Sequence, residues 1–244
     1  MDPKLLMVMR RFCVKEIKWE SPNIFTLRLA PDGGEPMFSF VAGQWVHLSL
    51  LNPDGTAWGR AAFSVASAPD ESGEQFELGI KVYGEFTKRA SQLVPGDIVG
   101  IQGPFGVFVV PEGASSIILF AGGIGISPLR SMIRSLWLRR APTQVTLFYS
   151  NKTIAETAYF EEFIKMAKEW PAFHPVFLLT SQAPANWDGE TGRLNQEILK
   201  HHVSDFSQQF FLMCGPDGFM DTIKGLLEKE GVDIKKRLKK ESFG

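Results

Sequence analysis

The sequence predicts an antiparallel β-barrel followed by an α/β domain with a parallel sheet, and two patterns lead to this prediction. In the N-terminal part, short segments with alternating apolar and polar side chains are separated by turn signals, for example at residues 31–34 and 52–55. Beyond residue 115, continuous apolar runs alternate with helical stretches, as in a parallel sheet with crossover helices. The change falls near residues 111–113, so the predicted domains are residues 1–110 and 111–244.

The barrel strands are predicted from the alternation and from the turns between them. Several short strands at close spacing are typical of an antiparallel sandwich or barrel. The expected strands are residues 12–19, 24–29, 45–51, 63–66, 76–82 and 98–102.

The α/β elements are predicted from uninterrupted apolar runs, which mark strands buried on both faces of a sheet. Right-handed crossovers through helices would connect these strands. Strands are expected at residues 116–121, 145–149, 176–180 and 210–214, and helices at residues 128–139, 155–168 and 196–202.

Composition excludes several functional classes. The net charge of -1 argues against a general nucleic-acid binder, which needs a basic excess to neutralise phosphates. No apolar run reaches the roughly 18–20 residues of a membrane span, and the N-terminal residues do not read as a signal peptide. The two cysteines, Cys13 and Cys214, are too few for an iron–sulfur cluster. We therefore expect a cytoplasmic protein without metal ligands, in which any redox cofactor is organic or loosely bound.

The strongest local motif is the glycine-rich segment 121–128, between a predicted buried strand and a predicted helix. Its glycines would let the backbone turn tightly and approach a phosphate, which the N–H groups at the helix start would hold. Ser127 fits the N-cap and Pro128 the first helical position. A plain strand–helix turn is the alternative, because proline replaces the third glycine of the usual dinucleotide motif. The nucleotide contacts expected here are Gly122, Gly123, Gly125, Ile126, Ser127 and Pro128.

Two segments of the barrel also carry chemistry. Phe63 beside Ser64 would stack an aromatic ring on a planar group and offer a polar contact next to it. The alternative is an ordinary strand with Phe63 in the core. Gly84 closes a predicted strand and Thr87 lies just inside a helix start, which indicates an anion site or simply a capped surface helix.

Taken in order along nearly the whole chain, these segments resemble the ferredoxin–NADP reductase family. Phe63-Ser64-Val65-Ala66-Ser67 is similar to its aromatic–serine flavin motif, and Gly84-Glu85-Phe86-Thr87 to its flavin pyrophosphate loop. The other matching segments are residues 40–45, the entry to the third strand; 96–99 and 103–108, the closing strand of the barrel; 121–128, the nicotinamide nucleotide loop; 213–220, the Cys-Gly-Pro motif; and 241–244, the terminal Glu-x-aromatic.

The resemblance implies a flavoprotein, with FAD more expected than FMN, that takes a hydride from NADPH or NADH and passes electrons to an acceptor. Ser64 would contact the flavin N5 region, Cys214 would line the nicotinamide side, and Glu241 would support the reacting pair. Cys214 also fits a small buried residue at a strand end. The remaining implied flavin contacts are Arg60, Phe63, Val65, Ile80, Lys81, Gly84, Phe86, Thr87 and Phe243, and the remaining nucleotide contacts are Ser150, Lys152, Gly215, Pro216 and Asp217.

Arg60, Lys152 and the basic run 235–240 each allow two interpretations. The family has an arginine two residues before the motif aromatic, where this chain has Ala61; we expect a β-bulge to bring Arg60 into reach, the alternative being a lost phosphate partner. Lys152 would pair with the 2′-phosphate of NADPH or simply be solvated. The basic run 235–240 is either a solvated edge strand or a docking patch for an acidic electron carrier.

The function has three alternatives. The chain is a free-standing NAD(P)H reductase without a fused iron–sulfur domain, acting on ferredoxin, flavodoxin or a partner oxygenase. Alternatively it is the electron-transfer subunit of a multicomponent complex. The third alternative is a nucleotide-binding regulator that has lost its flavin, for which the alanine at position 61 is the only sequence support.

Overall fold

A computed structural model describes residues 8–34, 36–71 and 73–242 of the chain. These residues fall into two compact units. The first unit is residues 1–109 together with Arg130–Arg139, and the second is residues 110–129 together with residues 140–244. Over the described ranges, the chain has no helix of the length and apolar character that a membrane span requires.

The first unit is built on a single antiparallel sheet of six strands. Its strands are β1 (Arg10–Ser21), β2 (Ile24–Pro31), β3 (Trp45–Leu51), β4 (Ala57–Ser64), β5 (Phe76–Lys81) and β6 (Ile98–Phe105). Their order is β4-β3-β6-β1-β2-β5, and a bridge between Val65 and Leu78 joins the two outer strands, so the sheet closes on itself. The enclosed core contains Phe12, Leu27, Leu48, Leu78 and Ile101, among others. The predicted antiparallel barrel is confirmed.

A short helix, α1 (Glu85–Ala90), follows β5 in this unit. Its Ala90 is fully buried in the core and its Phe86 packs against the same cluster. The strand predicted at residues 63–66 is only the end of β4, which begins at Ala57. The first part of β4 was not predicted, because the extra residue Trp58 interrupts the alternation of apolar and polar side chains. In the β3–β4 ladder, Leu50 pairs with Gly59 and Leu51 with Ala57, which leaves Trp58 without a partner strand residue.

The second unit contains a parallel sheet of six strands with helices between them, as predicted. Its strands are β7 (Ser116–Gly122), β8 (Gln144–Asn151), β9 (Phe173–Leu179), β10 (Glu190–Thr191), β11 (Phe210–Cys214) and β12 (Leu238–Glu241), in the order β10-β9-β8-β7-β11-β12. The helices are α2 (Ile126–Leu138), α3 (Phe160–Glu169), α4 (Gln196–His202), α5 (Asp217–Lys229) and α6 (Ile234–Arg237). Helix α5 was not predicted, although Met220, Ile223 and Leu227 show the spacing of a buried helix face.

The order of the parallel strands indicates where a ligand is expected to bind. From β7 the chain proceeds outward through β8, β9 and β10, and then returns to add β11 and β12 on the other side. Ligands of such sheets bind outside the carboxyl ends of the strands, at the point where the strand order reverses. Here that point lies between β7 and β11, whose last paired residues are Ala121 and Cys214.

Candidate active site

The predicted flavin motif lies at the end of the edge strand β4. Phe63 is half-buried opposite the core residue Val46, and its ring stacks on Phe86 with 6.0 Å between centroids and 25° between planes. Ser64 is the buried last residue of β4. Val65 is fully buried, and its N–H donates to the Gln44 carbonyl at 2.9 Å. Phe63 therefore packs on the core and still presents part of its ring.

The loop after β5 is shaped by one hydroxyl group. Thr87 Oγ1 accepts the N–H groups of Tyr83 and Gly84, each at 3.1 Å, and this side chain is buried. A side chain at Gly84 would meet no atom within 4 Å, so the backbone here faces open space. Ile80 is fully buried and Lys81 half-buried at the end of β5. A half-exposed aromatic ring and a loop open beside Gly84 fit a flavin nucleotide, whose ring needs a flat surface and whose phosphates need close backbone approach.

Arg60 lies on the face of β4 opposite to Phe63, which corrects one expectation. The β3–β4 register is unbroken from Arg60 opposite Ser49 to Ser64 opposite Trp45, so Arg60 and Phe63 lie on opposite faces of β4. The predicted bulge between Arg60 and Phe63 is wrong, because the extra residue is accommodated earlier in the strand, at Trp58. Arg60 instead donates to Gln102 Oε1 at 3.0 Å.

His47 lies on the same face of the sheet as Arg60. Burial, together with the nearby Arg60 charge, lowers the pKa of His47. The residue that shares the face of Phe63 is Ala61, opposite Leu48. The cation that the family pattern places on this face is therefore replaced by a methyl group.

The glycine-rich segment is a 3-10 turn, Gly123–Gly125, that runs directly into α2 at Ile126. Ser127 and Pro128 are the second and third residues of the helix, so their predicted N-cap and first-position roles are wrong by two residues. The shift arises because the turn continues into the helix without a break. Pro128 is still accommodated, since N–H groups of a first turn have no partner within the helix. Gly123 has a φ of +54°, in the left-handed region that glycine tolerates.

The loops after β7 and β11 approach each other closely. A Cβ atom on Gly125 would lie 2.0 Å from the Cys214 carbonyl oxygen. A Cβ atom on Gly215 would lie 3.1 Å from Gly122 Cα. Only glycine allows this contact between the predicted nucleotide loop and the Cys-Gly-Pro segment. Pro216 then precedes α5, whose first residue is the exposed Asp217.

Cys214 and Glu241 are neighbours at the carboxyl edge of the sheet. Cys214 pairs with Ala121 on one side and with Glu241 on the other. The Cys214 thiol is buried; this burial, and in addition the Glu241 charge, raises its pKa. The thiol is therefore neutral at physiological pH and is not a nucleophile. Phe243, the predicted cover of the flavin face, lies outside the described residues.

The end of β8 reaches the same edge. Ser150 pairs with Gly122 and is half-buried. Lys152 is exposed, and its carbonyl accepts the Ser181 N–H at 3.1 Å, which anchors the backbone of the loop. The structure thus gathers Gly122, Ser150, Cys214 and Glu241 at one edge, as the sequence predicts.

Sequence reasoning missed a buried charge network in the first unit. Arg130 Nη1 donates to Glu77 Oε2 at 2.8 Å and to the Ala66 carbonyl at 2.9 Å. Arg28 Nη2 donates to Glu77 Oε1 at 2.8 Å. Burial alone would raise the pKa of Glu77, but the two guanidinium groups outweigh it and hold that pKa below its usual range. The sequence signal that could have indicated this network is one residue of each charge, Arg28 and Glu77, within two otherwise apolar strands.

This network and its neighbours fix the second half of the flavin motif, Ala66 and Ser67. The Ala66 N–H donates to the Glu77 carbonyl at 2.7 Å, while the Ala66 carbonyl is held by Arg130. The Ser131 hydroxyl donates to the Ser67 carbonyl at 2.5 Å. Both the N–H and the carbonyl of Ala66 are thus hydrogen-bonded, which fixes the backbone directly after Ser64 and Val65.

Comparison with known proteins agrees with this architecture. Residues 11–110 match the model of the oxidoreductase FAD-binding domain, and residues 119–225 match that of the oxidoreductase NAD-binding domain. An FAD-binding barrel with a nucleotide-binding α/β unit defines a flavin-dependent oxidoreductase. The chain belongs to the FAD- and NAD-binding oxidoreductases, in agreement with the resemblance of its sequence motifs.

Individual relatives come from several reductase systems. The chain is 29% identical over 188 residues to one component of the Na(+)-translocating NADH-quinone reductase of Neisseria meningitidis, covering 70% of this chain and 46% of that protein. It is 34% identical over 206 residues to DmpP, the reductase component of phenol 2-monooxygenase of Pseudomonas sp. strain CF600, covering 82% of this chain and 56% of that protein. The chain thus spans about half the length of these curated relatives.

A solved structure shows the same fold. The ferredoxin NADP+ reductase of Neisseria gonorrhoeae, crystallised with FAD and NADP, superposes with a TM-score of 0.78 at 18% identity. The match covers 96% of this chain and 98% of the reductase chain. At this identity the likeness establishes the fold alone.

Proposed function

We propose that this protein is an NAD(P)H-dependent reductase that delivers electrons to a separate protein acceptor. The observation that carries the proposal is the row Ala121, Cys214 and Glu241 at the carboxyl edge of the parallel sheet, beside the turn Gly123–Gly125. This is the place where α/β sheets bind nucleotides. The names of the relatives, a monooxygenase reductase component and a component of a quinone reductase, support a protein acceptor.

The proposed roles in the second unit follow from this edge. Backbone N–H groups of the glycine-rich turn and the first turn of α2 hold the nucleotide phosphates. The neutral Cys214 thiol lines the nicotinamide side, and Glu241 orients the reacting pair through hydrogen bonds. Ser150 and Lys152 contact the adenosine portion, where Lys152 would pair with a 2′-phosphate. Both NADPH and NADH remain candidates, and Lys152 slightly favours NADPH. The remaining proposed nucleotide contacts are Gly122, Gly123, Gly125, Ile126, Ser127, Pro128, Gly215, Pro216 and Asp217.

The proposed roles in the first unit centre on β4 and the loop after β5. Bound FAD supplies an acceptor for the hydride and a source of single electrons for the partner. Phe63 offers a face for the flavin ring, and the buried Ser64 offers a hydroxyl to its N5 edge. Gly84 leaves room for the phosphates, and Thr87 keeps that loop in shape. The other proposed contacts are Val65, Ile80, Lys81 and Phe86.

The first prediction tests the flavin. The protein should purify yellow, with about one FAD per chain. Anaerobic NADPH or NADH should then bleach the flavin absorption at about 450 nm. Bleaching that fails while FAD is bound would contradict nucleotide oxidation. A colourless protein that takes up no added FAD would support the alternative of a regulator without flavin.

The second prediction concerns the phosphate partner. Arg60→Ala should leave FAD affinity nearly unchanged, because Arg60 lies on the face opposite Phe63 and is bonded to Gln102. Ala61→Arg should tighten FAD binding about 10-fold or more, as expected for a new charge-assisted hydrogen bond worth about 1.5–3 kcal/mol. Fluorescence titration of the flavin-free protein with FAD measures both affinities. Weaker binding in Arg60→Ala with no gain in Ala61→Arg would reverse the assignment of faces.

The acceptor is proposed to be an acidic electron carrier. Of the basic run, Lys235, Lys236 and Lys240 are exposed beside the strand that ends at Glu241. Arg237 is half-buried and donates to the Phe206 carbonyl, so its side chain has a structural role. The exposed lysines would favour an acidic surface by charge complementarity. A free-standing reductase and a member of a larger complex are separated by isolating the native assembly.

A further inference from the structure

Three of the four histidines of the chain meet in the second unit, and none of them is among the residues assigned to either cofactor. His174 lies on β9, and His201 and His202 end helix α4. Glu190 on β10 lies beside them. Sequence motifs do not reveal this cluster, because its members are spread over three elements without the short spacing of a zinc-binding motif.

The ligand atoms of three of these residues are close enough for one ion. One ligand atom each of Glu190, His201 and His202 lies within 4.8 Å of the others. His202 Nε2 is 2.8 Å from Glu190 Oε1, and the His201 and His202 rings are 4.8 Å apart at their centroids. Nitrogen and oxygen ligands lie about 2.0–2.2 Å from Zn²⁺, which puts neighbouring ligand atoms about 3–4 Å apart. The three ligand atoms, all within 4.8 Å of one another, are therefore near the spacing that one ion requires.

His174 supports the cluster from the other side. Its Nε2 is 3.4 Å from His202 Nδ1, so it contacts the nitrogen of His202 that does not face Glu190. Hydrogen bonding to the second ring nitrogen is what orients metal-binding histidines.

We propose that Glu190, His201 and His202 bind one divalent transition-metal ion of the zinc type, with His174 orienting His202. Two imidazoles and a carboxylate are a ligand set that suits zinc, copper or nickel rather than magnesium or calcium. A neutral His202 would bind the ion through the lone pair of Nε2 and keep its single proton on Nδ1, the nitrogen that faces His174 Nε2. Three protein ligands leave a coordination position for water.

The test is calorimetric titration of the chelator-treated, FAD-loaded protein with ZnCl₂. We expect about one Zn²⁺ per chain and a rise in unfolding temperature on binding. The double variant His201→Gln/His202→Gln should lose the site, and His174→Gln should weaken it about 10- to 100-fold. The matched control is His47→Gln, the remaining histidine, which lies in the first unit and should bind zinc like the unchanged protein.

Each outcome decides the proposal independently of the reductase function, because the readout is metal binding and not flavin reduction. Zinc binding that the double variant retains, or no binding by the unchanged protein, overturns it. The unfolding temperatures of all variants without metal show that each is folded, so a lost site is not a misfolded chain. If the double variant does not fold, Glu190→Gln replaces it, with loss of binding again required.

Discussion

Replacing Gly125 with alanine should slow reduction of the flavin by the nicotinamide nucleotide about 100-fold and leave the flavin bound. The added Cβ atom would lie 2.0 Å from the Cys214 carbonyl oxygen and 2.4 Å from its carbon. Both atoms belong to the backbone of a buried strand end, so neither can rotate aside. The glycine-rich turn must therefore move away from β11, and a misplacement of about 1 Å at a binding site costs about 100-fold in rate.

Stopped-flow reduction under anaerobic conditions measures this effect. The matched control is Gly225→Ala on α5, where a Cβ atom would meet nothing within 4 Å and alanine is the better helix former. Gly225→Ala should be reduced at the normal rate and FAD content should be the same in both variants. A normal reduction rate in Gly125→Ala would mean that the turn does not hold the nucleotide.

Replacing Arg130 with methionine should lower the free energy of unfolding by about 3–5 kcal/mol, the usual cost of removing one partner from a buried ion pair. Arg130 and Glu77 have side chains only 6% and 10% exposed. The matched control is Arg139→Met on the same stretch of chain. Arg139 also pairs with a carboxylate, Asp70, but its side chain is 59% exposed, so we expect less than about 1 kcal/mol.

Urea unfolding at several pH values separates this effect from lost packing. The pKa of Glu77 is lower in the folded than in the unfolded protein, so its contribution is present above the unfolded carboxyl pKa and is lost as pH falls through the folded pKa. The difference between Arg130→Met and the unchanged protein should therefore shrink in acid. Glu77→Gln in the Arg130→Met background should recover part of the loss. Equal losses in Arg130→Met and Arg139→Met would contradict the buried pair.

Local patterns in the sequence were sufficient for the fold and for one edge of the site. Strict alternation around Trp45–Leu51 and the apolar run before Gly122 each determine an element without distant information. Glu241 ends β12, which the sequence offered only as one of two alternatives for the basic run. Gly122 and Cys214 end two strands that apolar runs predict, and parallel strands bring their carboxyl ends together. Their shared location was therefore predictable, whereas their chemical roles are proposals.

Other features depend on choices that a linear pattern does not contain. The strand β4 has one residue too many for its partner, and counting cannot say whether the extra residue lies before or after Arg60. The extra residue is Trp58, next to Gly59. From Gly59 onward the pairing of β4 with β3 is regular, so successive side chains alternate between the two faces of the sheet. Glu77 reads as an outward polar residue of a strand, yet Arg130, distant in sequence, covers it. The histidine cluster likewise exists only after three elements are placed.

Helix α2 divides its residues between the two units, since its part from Arg130 onward belongs to the first. The flavin-binding unit is therefore assembled from two separate stretches of chain, and the predicted limit at residue 110 would cut it. A fragment ending there would keep Glu77 and Arg28 but lose Arg130, leaving the carboxylate short of one of its two cations. Replacing the nucleotide-binding part of this chain by a foreign one would meet the same difficulty, because the incoming helix must bring an arginine where this barrel presents Glu77.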